Sequence, residues 1–174
     1  ALYRLSDEFC MFYLKFMRNA KQAGAGSWQR LANTTKVKAW QGYSFEMLCL
    51  KHIPQIKKAL GISGIYSVNS SWTSTGTDEA SQIDMLIDRD DHIINLCEMK
   101  FSGGSFAIEK KYADLLKSRA MNFKKATKTK KNIHHIFITP HGMIENQWYF
   151  ELVQNQLTTE ELFERTYKPK KSKK

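Results

Sequence analysis

Two adjacent apolar runs separated by a short polar turn constrain the fold of this chain more than any other feature. The first run covers residues 82–88 and the second covers residues 93–100. A polar turn between two apolar runs predicts a β-hairpin. If residues 90–92 form a three-residue loop, the numbers of cross-strand partners sum to 182.

This register places two acids and a lysine on one face of the hairpin. Asp84 lies opposite Glu98, and Lys100 shares their face because side chains alternate along a strand. A one-residue slip would separate them. Two neighbouring carboxylates repel each other unless a cation lies between them, and oxygen ligands suit Mg²⁺ or Mn²⁺. Such a cation binds phosphate and activates water, and a nearby lysine can position that water. The hairpin therefore predicts a metal-dependent phosphodiesterase site.

At these residues the sequence resembles the PD-(D/E)XK nuclease superfamily, in a form in which Ile83 replaces the proline before the motif aspartate. More narrowly, it resembles the carboxy-terminal domain of the archaeal-type P-loop ATPases, which also occur in bacteria. Besides the hairpin, the matching segments, which extend over nearly the whole chain, are 3–7, Phe9, 12–16, 42–46, 106–108, 111–113, Leu116 and 145–147. The resemblance implies an α/β fold with a restriction-endonuclease-like core, in which a central mixed sheet is flanked by helices.

The resemblance also implies site residues. The catalytic positions would be Glu46, Asp84, Glu98 and Lys100, and the metal would be held by Asp84, Glu98 and the Met99 carbonyl. Glu46 falls on a predicted helix over 42–53. The alternative for Glu46 is a surface glutamate on the polar edge of an amphipathic helix.

A second predicted helix, over 107–126, would carry a basic outward face. Residues 110–131 contain nine lysines and arginines and one acid, Asp114. Such a field attracts phosphate backbones without reading sequence. Binding to an anionic membrane is the less favoured alternative, since the core needs the apolar side of the helix. The predicted nucleic-acid contacts are Lys110, Lys111, Lys117, Arg119, Lys124, Lys125 and Lys128.

The remaining patterns predict a strand over 63–72, a strand over 133–140, a short strand over 149–153 and a helix over 157–163. We expect the chain to divide into three parts. Residues 1–40 would be an amino-terminal helical segment linked to an absent ATPase and winged-helix portion, residues 41–165 the nuclease-like domain, and residues 166–174 a basic disordered tail.

Composition sets the remaining expectations. The chain has 174 residues, 42% of them apolar, and a net charge of +10, of which five charges come from the lysines between 168 and 174. Cys10, Cys49 and Cys97 lie in apolar segments without paired spacing, which favours buried, reduced thiols and a cytoplasmic location. No run is long enough for a transmembrane helix, so no membrane partner is expected.

The leading prediction is a nuclease that uses Mg²⁺ or Mn²⁺ to cut DNA, with RNA as an open alternative, and that belongs to a larger ATPase. The second is a catalytically silent nucleic-acid-binding or regulatory domain of that ATPase. An acid and lysine set on an apolar sheet favours the enzyme, because a binding domain has no need to keep such charges together.

Overall fold

The computed structural model describes residues 5–18, 24–74 and 81–163. The chain forms two compact units, Ala1–Leu48 and Cys49–Lys174. The predicted tail lies outside the described residues. None of the helices in the described ranges has the length and apolar content needed to cross a bilayer.

The first unit is helical. Helix α1 covers Glu8–Phe12 and continues into a π-helical turn over Tyr13–Met17; helix α2 covers Ser27–Ala32, and helix α3, Thr35–Lys51, begins in this unit. Asp7 caps α1 by accepting a hydrogen bond from the Cys10 amide at 2.6 Å. A cluster of aromatic rings stabilises the unit, with Phe12 packed 5.3 Å from Trp28 and 5.3 Å from Trp40 between ring centroids.

The second unit contains the sheet. After α3 ends at Lys51, helix α4 restarts at Ile53 with Pro54 in its first turn, the break that this proline predicts. The later elements are β1 (Ser67–Thr73), β2 (Gln82–Arg89), β3 (Ile93–Met99), α5 (Lys110–Thr127), β4 (Asn132–Ile138), α6 (Gln147–Leu152), β5 (Val153–Leu157) and α7 (Thr159–Leu162).

The five strands form one mixed sheet in the order β1-β2-β3-β4-β5. β1, β2 and β3 are antiparallel neighbours, whereas β3, β4 and β5 run parallel. A parallel pair needs a crossover connection, and α5 supplies it between β3 and β4. The expected fold class is therefore confirmed: the domain is α/β, with a central mixed sheet flanked by helices, consistent with a restriction-endonuclease-like core.

The hairpin of β2 and β3 has the predicted register. Met85 pairs with Cys97 and Leu86 pairs with Leu96, so partner numbers sum to 182. The loop covers residues 90–92, and His92 adopts a positive φ of 64°. Over these pairs the even-numbered side chains of the two strands share one face of the sheet, which is also the face of Glu98. Asp84 lies just beyond the paired residues, where the register of β2 against β1 shifts between the pairs Ser70–Leu86 and Trp72–Ile83.

Helix α5 covers that face. Its buried Phe123 packs with Leu86, Ile94 and Leu96 of the hairpin, and Leu116 packs in a neighbouring cluster with Phe137 of β4. The opposite face carries other buried side chains, among them Met85, Ile87 and Cys97. Burial raises the pKa of the Cys97 thiol, and the nearby charges of Glu98 and Cys49 act in the same direction.

Three predictions about local structure are wrong. Of the strand predicted over 149–153, residues 149–152 are instead the end of α6, because the Asn146 side chain accepts hydrogen bonds from the amides of Trp148 and Tyr149 and caps a helix there. Strand β5 begins only at Val153. The helix expected to start at residue 42 already starts at Thr35. Cys10 is exposed, although Cys49 and Cys97 are buried, and all three are thiols outside any disulfide.

Candidate active site

Glu98 is the most constrained charged residue of the hairpin. It lies on β3 near the strand end, and its side chain is 5% exposed. Its Oε1 accepts a hydrogen bond from Arg119 Nη1 at 2.9 Å, and its Oε2 accepts one from Tyr112 Oη at 2.8 Å. A third residue, Lys100, places its Nζ 3.4 Å from Oε2. The cost of burying this acid is offset by two cations and a hydroxyl.

The geometry of α5 explains why two of these donors meet at one carboxylate. Tyr112 and Arg119 are seven positions apart, close to two full helical turns, so both side chains leave the helix on its sheet-facing side. The same side carries Leu116 and Phe123. Arg119 therefore contacts the sheet and does not lie on the outward basic face to which the sequence analysis assigned it. The prediction that it contacts nucleic acid stays a prediction.

Tyr112 was not recognised as a site residue from the sequence. Its hydroxyl is a proton donor to Glu98, and its surroundings favour the neutral phenol. Burial raises the pKa of Tyr112 most strongly; the charge of Glu98, the hydrogen bond to it and the charge of Asp84 raise it further, while Arg119 opposes them. The charges of Asp84 and Glu98 therefore both act on the Tyr112 hydroxyl.

Lys100 follows β3 directly. Its amide donates to the Ile138 carbonyl at 3.0 Å, which continues the pairing with β4 and fixes the backbone. The ammonium group lies 5.5 Å from the centre of the Tyr112 ring, and the side chain is 31% exposed. Lys100 therefore reaches both Glu98 and solvent, as a residue that positions water would require.

Asp84 lies one residue beyond the last hydrogen-bonded pair of the hairpin, Met85 with Cys97. It is half-buried, and its Oδ1 accepts a hydrogen bond from Gln82 Nε2 at 2.7 Å. The charge of Asp84 acts on the Tyr112 hydroxyl that donates to Glu98, so Asp84 lies in the neighbourhood of the cluster of Glu98, Tyr112 and Lys100. The catalytic roles of Asp84, Glu98 and Lys100 remain predictions.

Glu46 belongs to the first unit. It is half-buried on α3, between the buried side chains of Phe45 and Met47. A glutamate in these surroundings requires a polar or charged partner. Its proposed supporting role at the site stays a prediction.

His135 lies on β4 beside Leu96, and therefore on the sheet face that α5 covers. It is buried, and its Nδ1 has no hydrogen-bond partner. Burial lowers the pKa of His135; the charge of Glu98 opposes this effect, and that of His134 adds to it. Burial therefore favours the neutral form of His135 on this face of the sheet.

The oxygen atoms available at this site are of the type that binds a hard divalent cation. Asp84 and Glu98 supply carboxylate oxygens, the Met99 carbonyl is available at the strand end, and Mg²⁺ commonly keeps several waters as its remaining ligands. An ionised carboxylate offers about four lone-pair positions, more than Tyr112 and Arg119 use on Glu98. Over the described ranges, no group of three or more His, Cys, Asp or Glu side chains is placed to hold a metal ion. A cation here would thus rest on two carboxylates.

The outward side of α5 is basic. The exposed lysines on this helix and at its end are Lys110, Lys111, Lys124, Lys125 and Lys128. Lys117 differs from them, because its ammonium pairs with Glu151 at 2.6 Å and lies 5.3 Å from the centre of the Trp148 ring. After the helix, Lys131 pairs with Asp88 of β2 at 2.6 Å. We call the five exposed lysines the outer lysine surface.

Comparison with known proteins assigns no family to this chain. No family model matches this chain. No curated protein matches it either. The crystal structure of AF1548, a protein of unknown function, is similar with 17% sequence identity and a TM-score of 0.45, over 66% of this chain and 64% of that one. This chain thus spans somewhat less than two thirds of AF1548, and the fold class follows from the strand order and pairing given above.

Proposed function

We propose that this domain is a nuclease that uses Mg²⁺ or Mn²⁺ to hydrolyse phosphodiester bonds in DNA. The observation that carries the proposal is the buried Glu98, which is held by Tyr112 and Arg119 and lies 3.4 Å from the Lys100 ammonium. Burying a carboxylate and surrounding it with cations usually gives no more stability than apolar packing would. Such arrangements concentrate at functional sites.

Each residue has a distinct role in this proposal. Asp84, Glu98 and the Met99 carbonyl would hold the cation, which when bound stabilises charge on the phosphate and lowers the pKa of a water. Lys100 would orient that water and stabilise negative charge as it develops. Glu46 would support the site from α3. The outer lysine surface would supply affinity for the phosphate backbone.

The second candidate is a catalytically silent nucleic-acid-binding or regulatory domain. One observation favours it: Arg119 and Lys100 both pair with Glu98, so the charge of this buried acid is balanced by side chains of the protein itself. In this case the carboxylate cluster would stabilise the contact of α5 with the sheet, and the outer lysine surface would carry the function.

The wider context is also proposed. The domain would be part of a larger ATPase, with the ATPase portion on the amino-terminal side. A reducing, cytoplasmic compartment suits Cys49 and Cys97, which are buried as free thiols.

A cleavage assay separates the two candidates. The protein is incubated with Mg²⁺ or Mn²⁺ and with single-stranded, duplex and branched DNA, and with RNA. We expect cleavage by the wild type and a loss of about 100-fold or more in Asp84→Asn and Lys100→Ala, each with nearly unchanged DNA affinity. Asp88→Asn is the matched control, because Asp88 lies on the same strand and face but pairs with Lys131; it should cut normally. If the wild type cuts none of these substrates, the silent domain is the correct function.

A further inference from the structure

We infer that Arg119 is a positioning residue that exchanges partners: it holds Glu98 in the free site and moves to a phosphate oxygen when nucleic acid binds. This inference rests on the proposed function. Its consequence is that metal and nucleic acid bind cooperatively, because the departure of Arg119 frees Glu98 for the cation.

The charges of the free site are the first argument. Two acids, Asp84 and Glu98, face two cations, Lys100 and Arg119, so the cluster is close to neutral. Arg119 Nη1 lies 2.9 Å from Glu98 Oε1 and Lys100 Nζ lies 3.4 Å from Oε2. A divalent cation at Glu98 would meet two positive neighbours, and both would oppose its binding. A phosphodiester supplies the missing negative charge.

The freedom of the two cations to move is the second argument. The Lys100 backbone is fixed by the hydrogen bond from its amide to Ile138, and its ammonium lies over the Tyr112 ring. Arg119 extends from α5 on a long side chain that is 21% exposed, and Lys100 is 31% exposed. Lys100 already has a role at the water in the proposed function, so the exchange is assigned to Arg119, whose side chain can leave Glu98 and still remain beside the site.

The chemistry of the guanidinium is the third argument. Its bond to Glu98 Oε1 uses one of five N–H donors. The planar group matches the oxygens of a phosphate as well as those of a carboxylate. Tyr112 would keep its bond to the other Glu98 oxygen after Arg119 has moved, so the carboxylate stays oriented.

Manganese binding tests the exchange directly. Mn²⁺ affinity is measured by electron paramagnetic resonance, with and without a short phosphorothioate DNA duplex that resists cleavage. In the wild type, we expect the duplex to tighten Mn²⁺ binding about tenfold, a typical size for coupling between two sites. Without duplex, Arg119→Gln should bind Mn²⁺ about tenfold more tightly than the wild type does. Adding the duplex should raise the Mn²⁺ affinity of this variant only a little, and the variant should bind the duplex more weakly than the wild type does.

Two further variants make the result specific. Lys131→Gln is the matched control: it removes one positive charge and breaks the ion pair with Asp88, a residue of β2. This variant should keep the wild-type coupling between Mn²⁺ and duplex binding. Arg119→Lys keeps the charge but loses the planar fork, so it should fold and show coupling between that of the wild type and that of Arg119→Gln. Circular dichroism and thermal unfolding verify that each variant is folded.

The outcomes distinguish the two proposals. If Arg119→Gln and Arg119→Lys bind Mn²⁺ as the wild type does and keep its coupling to the duplex, the exchange is overturned while the metal-dependent function stands. If Mn²⁺ does not bind to any form, with or without duplex, the metal site of the proposed function fails, and the exchange fails with it.

Discussion

On its sheet-facing side, α5 brings Arg119 and Tyr112 against one buried carboxylate, whereas on its outward side lysines such as Lys110 and Lys124 are exposed. The inner cation, Arg119, lies 2.9 Å from a carboxylate oxygen of Glu98, and the outer lysines form a surface field. Charges of the same sign therefore differ in what they can do. A paired, partly buried cation can set the geometry of a site, while an exposed one adds attraction that salt screens.

The largest effect that would test this comparison concerns stability. Phe123 is 4% exposed and packs its ring 5.5 Å from that of Trp72, so Phe123→Ala should lower the free energy of unfolding by about 3–5 kcal/mol. The adjacent Lys124 is exposed, and Lys124→Ala should change it by less than about 0.5 kcal/mol. Urea denaturation measures both values. Similar losses for the two variants would contradict the assignment of inner and outer sides.

A second test addresses the outer lysine surface. If it follows a phosphate backbone, replacing Lys110 and Lys124 by alanine together should lower the salt slope of DNA binding by about 2, close to one unit for each phosphate that is no longer neutralised. Fluorescence anisotropy over a series of salt concentrations gives the slope.

The control for this test removes the same charge elsewhere. Alanine at both Lys57 and Lys58 of α4 should leave the slope nearly unchanged. An unchanged slope in the α5 variant, together with a lower slope after deletion of residues 168–174, would make the tail the true site of DNA binding.

The smallest expected effect is a pH dependence of stability that comes from His135, which lies on the sheet face that α5 covers. Because burial lowers the pKa of His135, the unfolded chain takes up a proton below about pH 6.5 that the folded chain resists. Stability should therefore fall as the pH drops through this value, by at most about 1.4 kcal/mol per pH unit from this residue. His135→Gln should remove this part of the slope, as measured by denaturation at several pH values. His141→Gln changes a histidine at an exposed position and should retain the pH dependence of the wild type. If stability depends on pH equally in the wild type and in His135→Gln, this pH dependence does not come from His135.

The hairpin was predictable because its determinants are local. Alternation of apolar side chains and a three-residue turn together specify the register of β2 and β3. The fold class followed from the resemblance to a family whose core is a mixed sheet flanked by helices. The break before α4 was visible as Pro54.

The surroundings of Glu98 could not be predicted in the same way. Counting basic residues along α5 treats the helix as one surface, although Arg119 shares a helical stripe with Tyr112, Leu116 and Phe123. This spacing is the signal that could have placed Arg119 inward. Which carboxylate it would meet depends on the packing of α5 on the sheet, which joins distant parts of the chain. The prediction for residues 149–153 failed for another reason: Asn146 caps α6 within an apolar stretch that also suits a strand.

The seven-residue separation of Tyr112 and Arg119 also determines which changes in length this segment tolerates. Inserting or deleting one residue between them would rotate Arg119 by about 100° around the helix axis relative to Tyr112. The helix itself would survive, but one oxygen of Glu98 would lose its donor. As the sequence diverges during evolution, residues 112–119 should therefore accept many substitutions at outward positions, but the number of residues between Tyr112 and Arg119 should stay the same.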